Sequence, residues 1–194
     1  MTMQRTGINV TPLLQATNPN KFFPGAGDPD TGDEILFIGN TRNVYRQIIK
    51  DCVEIGISPS IYGKDWDRFV SKELIKGAFV PNDKVAGMSR SAGVVLNDHW
   101  PDMAKHGFLS NRLFDAVASG ARVISDDAAG IRDVFGESVA VYRTPSELAD
   151  LCSKANRDMW GSQDEISNRA IQFGIEHSFD QRAKALVQAA LSAL

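Results

Sequence analysis

The sequence predicts an α/β fold: a doubly wound, mostly parallel, Rossmann-like sheet with helices on both faces. Two observations carry this reading. Short uninterrupted apolar runs, such as Ile35 to Ile38 and Gly93 to Asn97, read as strands buried on both faces. Between such runs lie segments whose apolar residues recur on one helical face, often closed by a glycine.

Residues 8–33 gather Pro, Gly, Asn and Asp behind a short apolar start, as an arm or linker does, so residues 1–33 are set apart from an α/β domain over 34–194. Ile35 to Ile38 is the first strand. In the helix after it, Val44, Ile48, Ile49, Cys52 and Val53 share a face and Gly56 supplies the cap. Pro59 to Tyr62 and Ala78 to Val80 read as the next two strands, with Asn82 capping a helix that turns Val85, Met88 and Ala92 inward. The strand Gly93 to Asn97 comes next. A helix from about Ser110 presents Leu113, Phe114, Val117 and Ala118 to the core and stops at Gly120. Arg122 to Ser125 and Val139 to Tyr142 complete the strands. Thr144-Pro145-Ser146-Glu147 has the spacing of a capping box with proline in the first turn. Two further helices close the chain, the last with an apolar stripe through Ala183, Leu186, Val187, Ala190, Leu191 and Leu194.

With 194 residues, 43% of them hydrophobic, the chain can bury one substantial core. Its 21 basic and 24 acidic residues leave a net charge of -3, which points to neither a nucleic acid nor an anionic membrane as partner. The two cysteines, Cys52 and Cys152, lie among apolar residues as small core side chains do, in keeping with a reduced, cytoplasmic protein. No transmembrane segment or signal peptide is expected from the apolar runs. With no HExxH and no Cys/His cluster, no metal site is expected.

Ligands of such sheets bind beyond the carboxyl ends of the strands. After the first strand, Gly39-Asn40-Thr41-Arg42-Asn43 offers small residues and a cation at a helix start, suited to an anion or simply to a tight turn. Neither a glycine-rich dinucleotide fingerprint nor a P-loop is present. The most informative stretch is His106 to Ala121, HGFLSNRLFDAVASGA. Arg112 falls in the first turn of its helix, where the guanidinium fork can take two phosphate oxygens, and Asp115 follows one turn later, where a carboxylate can accept a ribose diol. The same spacing also suits an ordinary surface ion pair. His106 is placed to touch phosphate or sugar, or to serve as a plain polar residue; His99 and His177 carry no motif.

The stretch LFDAVASGARVIS resembles the C-terminal donor-binding domain of GT-B glycosyltransferases, especially their spore-maturation-protein-like branch. The likeness covers most of residues 8–190. It implies that Asp115 holds the ribose and that Ser110, Asn111 and Arg112 surround the donor phosphates. Phe37-Ile38-Gly39-Asn40 and Ile61-Tyr62-Gly63-Lys64-Asp65-Trp66 are similar to the family's first two donor-domain strands and turns. Gly77 to Val80 resembles the strand that ends beside the nucleotide base, which places Val80 there. Asp126, Asp127 and Gly130 resemble the loop near the donor sugar. Two departures stand out. The second acid is Asp115 where Glu is usual, and the first is replaced at His106-Gly107.

The resemblance implies glycosyl transfer from a nucleoside-diphosphate sugar to an unknown acceptor hydroxyl. Arg112 would stabilise the departing diphosphate with no cofactor, and a further N-terminal GT-B domain would supply the acceptor site. The binding set it implies is Gly39, Asn40, Tyr62, Val80, His106, Ser110, Asn111, Arg112 and Asp115. A non-catalytic nucleotide-binding module suits the same residues. A nicotinamide oxidoreductase would need a glycine-rich first turn and an acid after the second strand, where Gly39-Asn40-Thr41 and Tyr62-Gly63 stand.

Overall fold

The computed structural model describes residues 12–192. Its centre is a six-stranded parallel sheet in the order β3-β2-β1-β4-β5-β6. The strands are β1 (Ile35–Ile38), β2 (Ser60–Tyr62), β3 (Ile75–Gly77), β4 (Val94–Asn97), β5 (Val123–Asp126) and β6 (Val139–Tyr142). The helices are α1 (Gln47–Glu54), α2 (Asn82–Ser91), α3 (Pro101–His106), α4 (Asn111–Ala118), α5 (Ile131–Phe135), α6 (Pro145–Cys152), α7 (Gln163–Glu176) and α8 (Phe179–Ser192). The order turns back between β1 and β4, so their carboxyl ends flank the crevice where sheets of this kind take ligands.

Alternation along each strand divides the core into two layers. Ile35 and Phe37 of β1, Val94 and Leu96 of β4 and Ile124 of β5 pack with Ile48, Ile49 and Cys52 of α1 and Leu148 and Cys152 of α6. Leu36, Val95 and Val123 face the opposite way, against Met88 of α2, Leu113, Phe114 and Val117 of α4, and Phe173 of α7. The Phe37 ring meets Trp66 edge-on at 5.5 Å, an arrangement that adds about 1 kcal/mol to the burial itself. Both cysteines are buried and free.

The N-terminal segment lies on the α4 side of the sheet. Phe22 is buried there, Arg90 of α2 donates to the carbonyls of Phe23 (2.7 Å) and Ala26 (2.7 Å), and Thr17 bridges to Ser178 between α7 and α8.

Several boundaries depart from expectation. The third strand is Ile75–Gly77 rather than Ala78 to Val80. β2 offers three residues for pairing, Ile75 to Gly77 takes them, and the apolar residues that follow leave the sheet with Phe79 73% exposed. Asn82 does not cap α2: it is the first helical residue, and Pro81 occupies the cap without a side-chain bond. The short helices α3 and α5 were not anticipated, although Pro101 in the first turn and Gly107 in the left-handed conformation (φ 69°) mark both ends of α3. Half of the expected box is present, the Thr144 hydroxyl accepting from the Glu147 amide at 3.2 Å, while the Glu147 carboxylate accepts from the Arg143 amide at 2.7 Å and not from Thr144. The stripe on α8 is exposed, with Leu186, Val187 and Leu191 at 56 to 65%; Leu194 lies outside the described residues.

Candidate functional site

Beyond β1 the chain runs Gly39, Asn40, Thr41, Arg42, Asn43. Arg42 (φ 49°) and Asn43 (φ 61°) are left-handed, as is Asp65 (φ 66°) in the loop after β2. Such conformations strain side chains other than glycine, and persist where surrounding bonds impose them. Here the two loops bind each other: the Lys64 amide donates to Asn40 Oδ1 at 2.8 Å, and the Thr41 hydroxyl donates to the Asp65 carbonyl at 3.1 Å. Trp66 Nε1 donates to the Gly39 carbonyl at 2.7 Å. The edge of the crevice is therefore fixed by backbone and side chains together.

Arg112, in the first turn of α4, reaches across to β1. Its Nη1 donates to the Ile38 carbonyl at 2.8 Å, and a methyl at Gly39 would overlap that guanidinium. Glycine is thus required by close approach. Burial, together with the positive charges of Arg46 and Arg42, pushes the Arg112 pKa down to about 10, opposed by Asp98 and Asp126, so it remains a cation at neutral pH. The Arg46 guanidinium lies 4.2 Å from the Trp100 ring centre and that of Arg42 lies 5.8 Å from it. Arginine outnumbers aspartate in this cluster, an arrangement that favours an anion.

Asp115 lies one turn further along α4. Its two oxygens accept from Thr17 Oγ1 (2.8 Å) and from Asn111 Nδ2 (2.9 Å). Burial raises its pKa to about 6 against the opposing pull of both bonds. Ser110 occupies the N-cap position of α4 without a side-chain capping bond and is buried, and Asn111 is the first helical residue.

The structure therefore brings Gly39, Ser110, Asn111 and Arg112 to one end of the β1–β4 crevice, with Asp115 behind them on the same helix. The others are more dispersed. The Asn40 side chain is engaged with the loop after β2, and the Tyr62 hydroxyl donates to Asp33 Oδ2 at 3.2 Å. Val80 is half-buried against the α4-side core, and His106 is exposed at the end of α3. Asp127 forms an exposed ion pair with Arg143 at 2.8 Å. Sequence reasoning missed Arg46, Asp98 and His99. Arg46 and Asp98 form a buried ion pair, reinforced by Arg46 Nε to Asp98 Oδ2 at 3.0 Å. A signal existed: consecutive charged and imidazole side chains directly after an apolar strand need partners if buried.

A family model described as glycosyl transferase-like matches residues 42–188. The chain belongs to that family. Spore protein CgeB of Bacillus subtilis (strain 168) is 24% identical over 149 residues, covering 63% of this chain and 47% of that protein. Solved structures show the same fold. AviGT4, a glycosyltransferase involved in avilamycin A biosynthesis, superposes with a TM-score of 0.60 at 16% identity, covering 93% of this chain and 57% of its own. Sucrose-phosphate synthase from Thermosynechococcus elongatus gives 0.62 at 13% identity, covering 93% and 52%. The pneumococcal O-GlcNAc transferase GtfA, solved with UDP and GlcNAc, gives 0.53 at 12% identity, covering 89% and 38%. The chain spans about half the length of the relatives it matches or less, and its architecture is that of one half of a GT-B glycosyltransferase. Among the described residues, no helix is long and apolar enough to cross a membrane.

Proposed function

We propose that this domain binds the donor of a glycosyl transfer, a nucleoside-diphosphate sugar, in the crevice between the ends of β1 and β4. The observation that carries this reading is Arg112, held across the end of β1 at the N-terminus of α4. Helix-start amides and a guanidinium whose other N–H donors bond nothing among the described residues together fit a diphosphate. Each Asp115 oxygen keeps accepting capacity beyond its present bond, enough for a ribose diol. In the transfer step, negative charge grows on the departing diphosphate, and Arg112 with the helix amides stabilises it there. The acceptor site belongs to a further GT-B half, as the coverage of the relatives suggests.

One observation favours a second reading, nucleotide binding without turnover. Where the resembled family carries its first acid this chain has His106-Gly107, and Gly107 closes α3 in a left-handed conformation that disfavours a side chain.

Calorimetric titration of the chain with UDP, GDP, ADP and TDP tests the binding step. One nucleotide binds, and Arg112→Lys weakens it about tenfold by losing the fork. Equal affinity of wild type and Arg112→Lys overturns the assignment of the phosphate site. Hydrolysis or transfer of the matching nucleotide sugar, supplied with the acceptor half, then separates the enzyme from the binding module.

A further inference from the structure

Asn97 at the end of β4 and the two residues after it are polar and almost wholly buried: Asn97 (2%), Asp98 (2%) and His99 (6%). Burying such groups is costly unless they find partners; Asp98 and His99 find theirs at the helix starts on either side of the crevice, while the Asn97 amide bonds Ser125 on β5. Asp98 binds Arg46, the N-cap of α1, through the carboxylate and also through its carbonyl at 2.8 Å. His99 does the equivalent for α4, because its Nε2 accepts the Ser110 amide at 3.0 Å.

That bond fixes the state of the ring. An imidazole nitrogen that accepts an N–H carries no proton, so the ring proton sits on Nδ1 and is donated to Asp126 Oδ1 at 2.6 Å. The His99 amide donates to the other Asp126 oxygen at 3.0 Å, so one carboxylate grips both ring and backbone. Ser125 Oγ donates to Asp126 Oδ1 at 3.0 Å and accepts from Asn97 Nδ2 at 2.9 Å. Burial raises the Asp126 pKa, but the bonds from His99 and Ser125 outweigh it and hold the carboxyl below its ordinary value. The chain of bonds runs from the ends of β4 and β5 to the first turn of α4, two residues before Arg112.

We infer that His99, oriented by Asp126, is a positioning residue of the phosphate site: it sets the start of α4 and with it the reach of Arg112 over Gly39. Its Nε2 is occupied by the Ser110 amide, so it acts through the helix and not on the substrate. The inference rests on the donor-site reading for its effect on nucleotide, but not for the bond itself.

The test uses the full chain with His99→Gln, His99→Leu and Asp126→Asn, titrated with UDP, GDP, ADP and TDP. Glutamine places an acceptor and a donor at about the spacing of the ring nitrogens; leucine removes both. His99→Leu is expected to weaken nucleotide binding at least about tenfold while still folded, and His99→Gln to stay within about threefold of wild type. In Asp126→Asn the amide can donate to Nδ1 and move the proton to Nε2, so ring nitrogen-15 shifts should show the other tautomer and nucleotide affinity should fall. If His99→Leu does not fold, the Asp126→Asn and His99→Gln measurements decide.

Unchanged affinity in His99→Leu, or an equal loss in His99→Gln and His99→Leu, overturns the inference. If wild type binds no nucleotide, the donor reading fails, while hydrogen exchange of the Ser110 amide still reports on His99. Strong protection in wild type that is lost in His99→Leu upholds the clamp, and an unprotected Ser110 amide in wild type overturns it.

Discussion

Asparagine at position 115 measures what it costs this fold to keep a carboxylate on α4. The Asp115 carboxyl titrates at about 6, above its ordinary 3.8. Between those values the native state holds a proton that the unfolded chain has released, so stability falls as pH rises. The favourable contribution is fully present below about pH 4 and is lost as pH climbs through about 6. A shift of this size corresponds to about 3 kcal/mol, and solvent screening at a partly exposed site reduces it to about 1 to 2 kcal/mol. Asp115→Asn keeps an oxygen for Thr17 and asks only that Asn111 turn its own amide over. Urea unfolding of both proteins between about pH 4 and pH 7 isolates this group, since other titrations are common to both. Wild type should lose about 1 to 2 kcal/mol relative to Asp115→Asn across that window. A stability difference independent of pH would refute the argument, because it would mean that Asp115 titrates alike in folded and unfolded chains. Such a standing cost is what a binding site retains and a purely structural position sheds.

Other substitutions probe the rest of the site. Asp98→Asn should destabilise the chain by about 3 to 5 kcal/mol in urea unfolding, since it leaves Arg46 buried without its counter-charge, and Arg46→Met with Asp98→Leu should recover most of that loss. Gly39→Ala would press on the Arg112 guanidinium and on the edge of the buried Phe37 ring, so nucleotide affinity is expected to fall about tenfold by calorimetry. Gly63→Ala is different, because its methyl would press on the rigid Gly39 carbonyl, and a loss of at least about 2 kcal/mol is expected on unfolding. Serine at Leu186 or Leu191 on the exposed stripe of α8 should change stability by about 0.5 kcal/mol or less in the same assay.

The fold was legible because its strands are buried on both faces. Ile35–Ile38 and Val139–Tyr142 were readable to the residue, since an apolar run bounded by turn residues has few other uses in a chain of this composition. The third strand was not, because Ala78 to Val80 are more apolar than Ile75-Lys76-Gly77, and only pairing with the short β2 selects the less apolar stretch. α8 shows the reverse: its apolar period predicts a helix correctly but does not say what the stripe faces.

The site divides in the same way. Arg112 and Asp115 stand out locally, as a cation and an acid one turn apart at a helix start, and Gly39 as a small residue after a strand. Sequence by itself determined the alternation of strands and helices, the two-layer core and the helix that carries those residues, because each follows from short-range periodicity and turn chemistry. Tertiary structure decided that Arg112 crosses to β1, that Thr17 reaches Asp115 across 98 residues, and that the buried Asp98 and His99 tie down the helix starts on both sides of the crevice. Those bonds join residues far apart in the chain. Their energies depend on burial and direction, which exist only once the sheet has assembled.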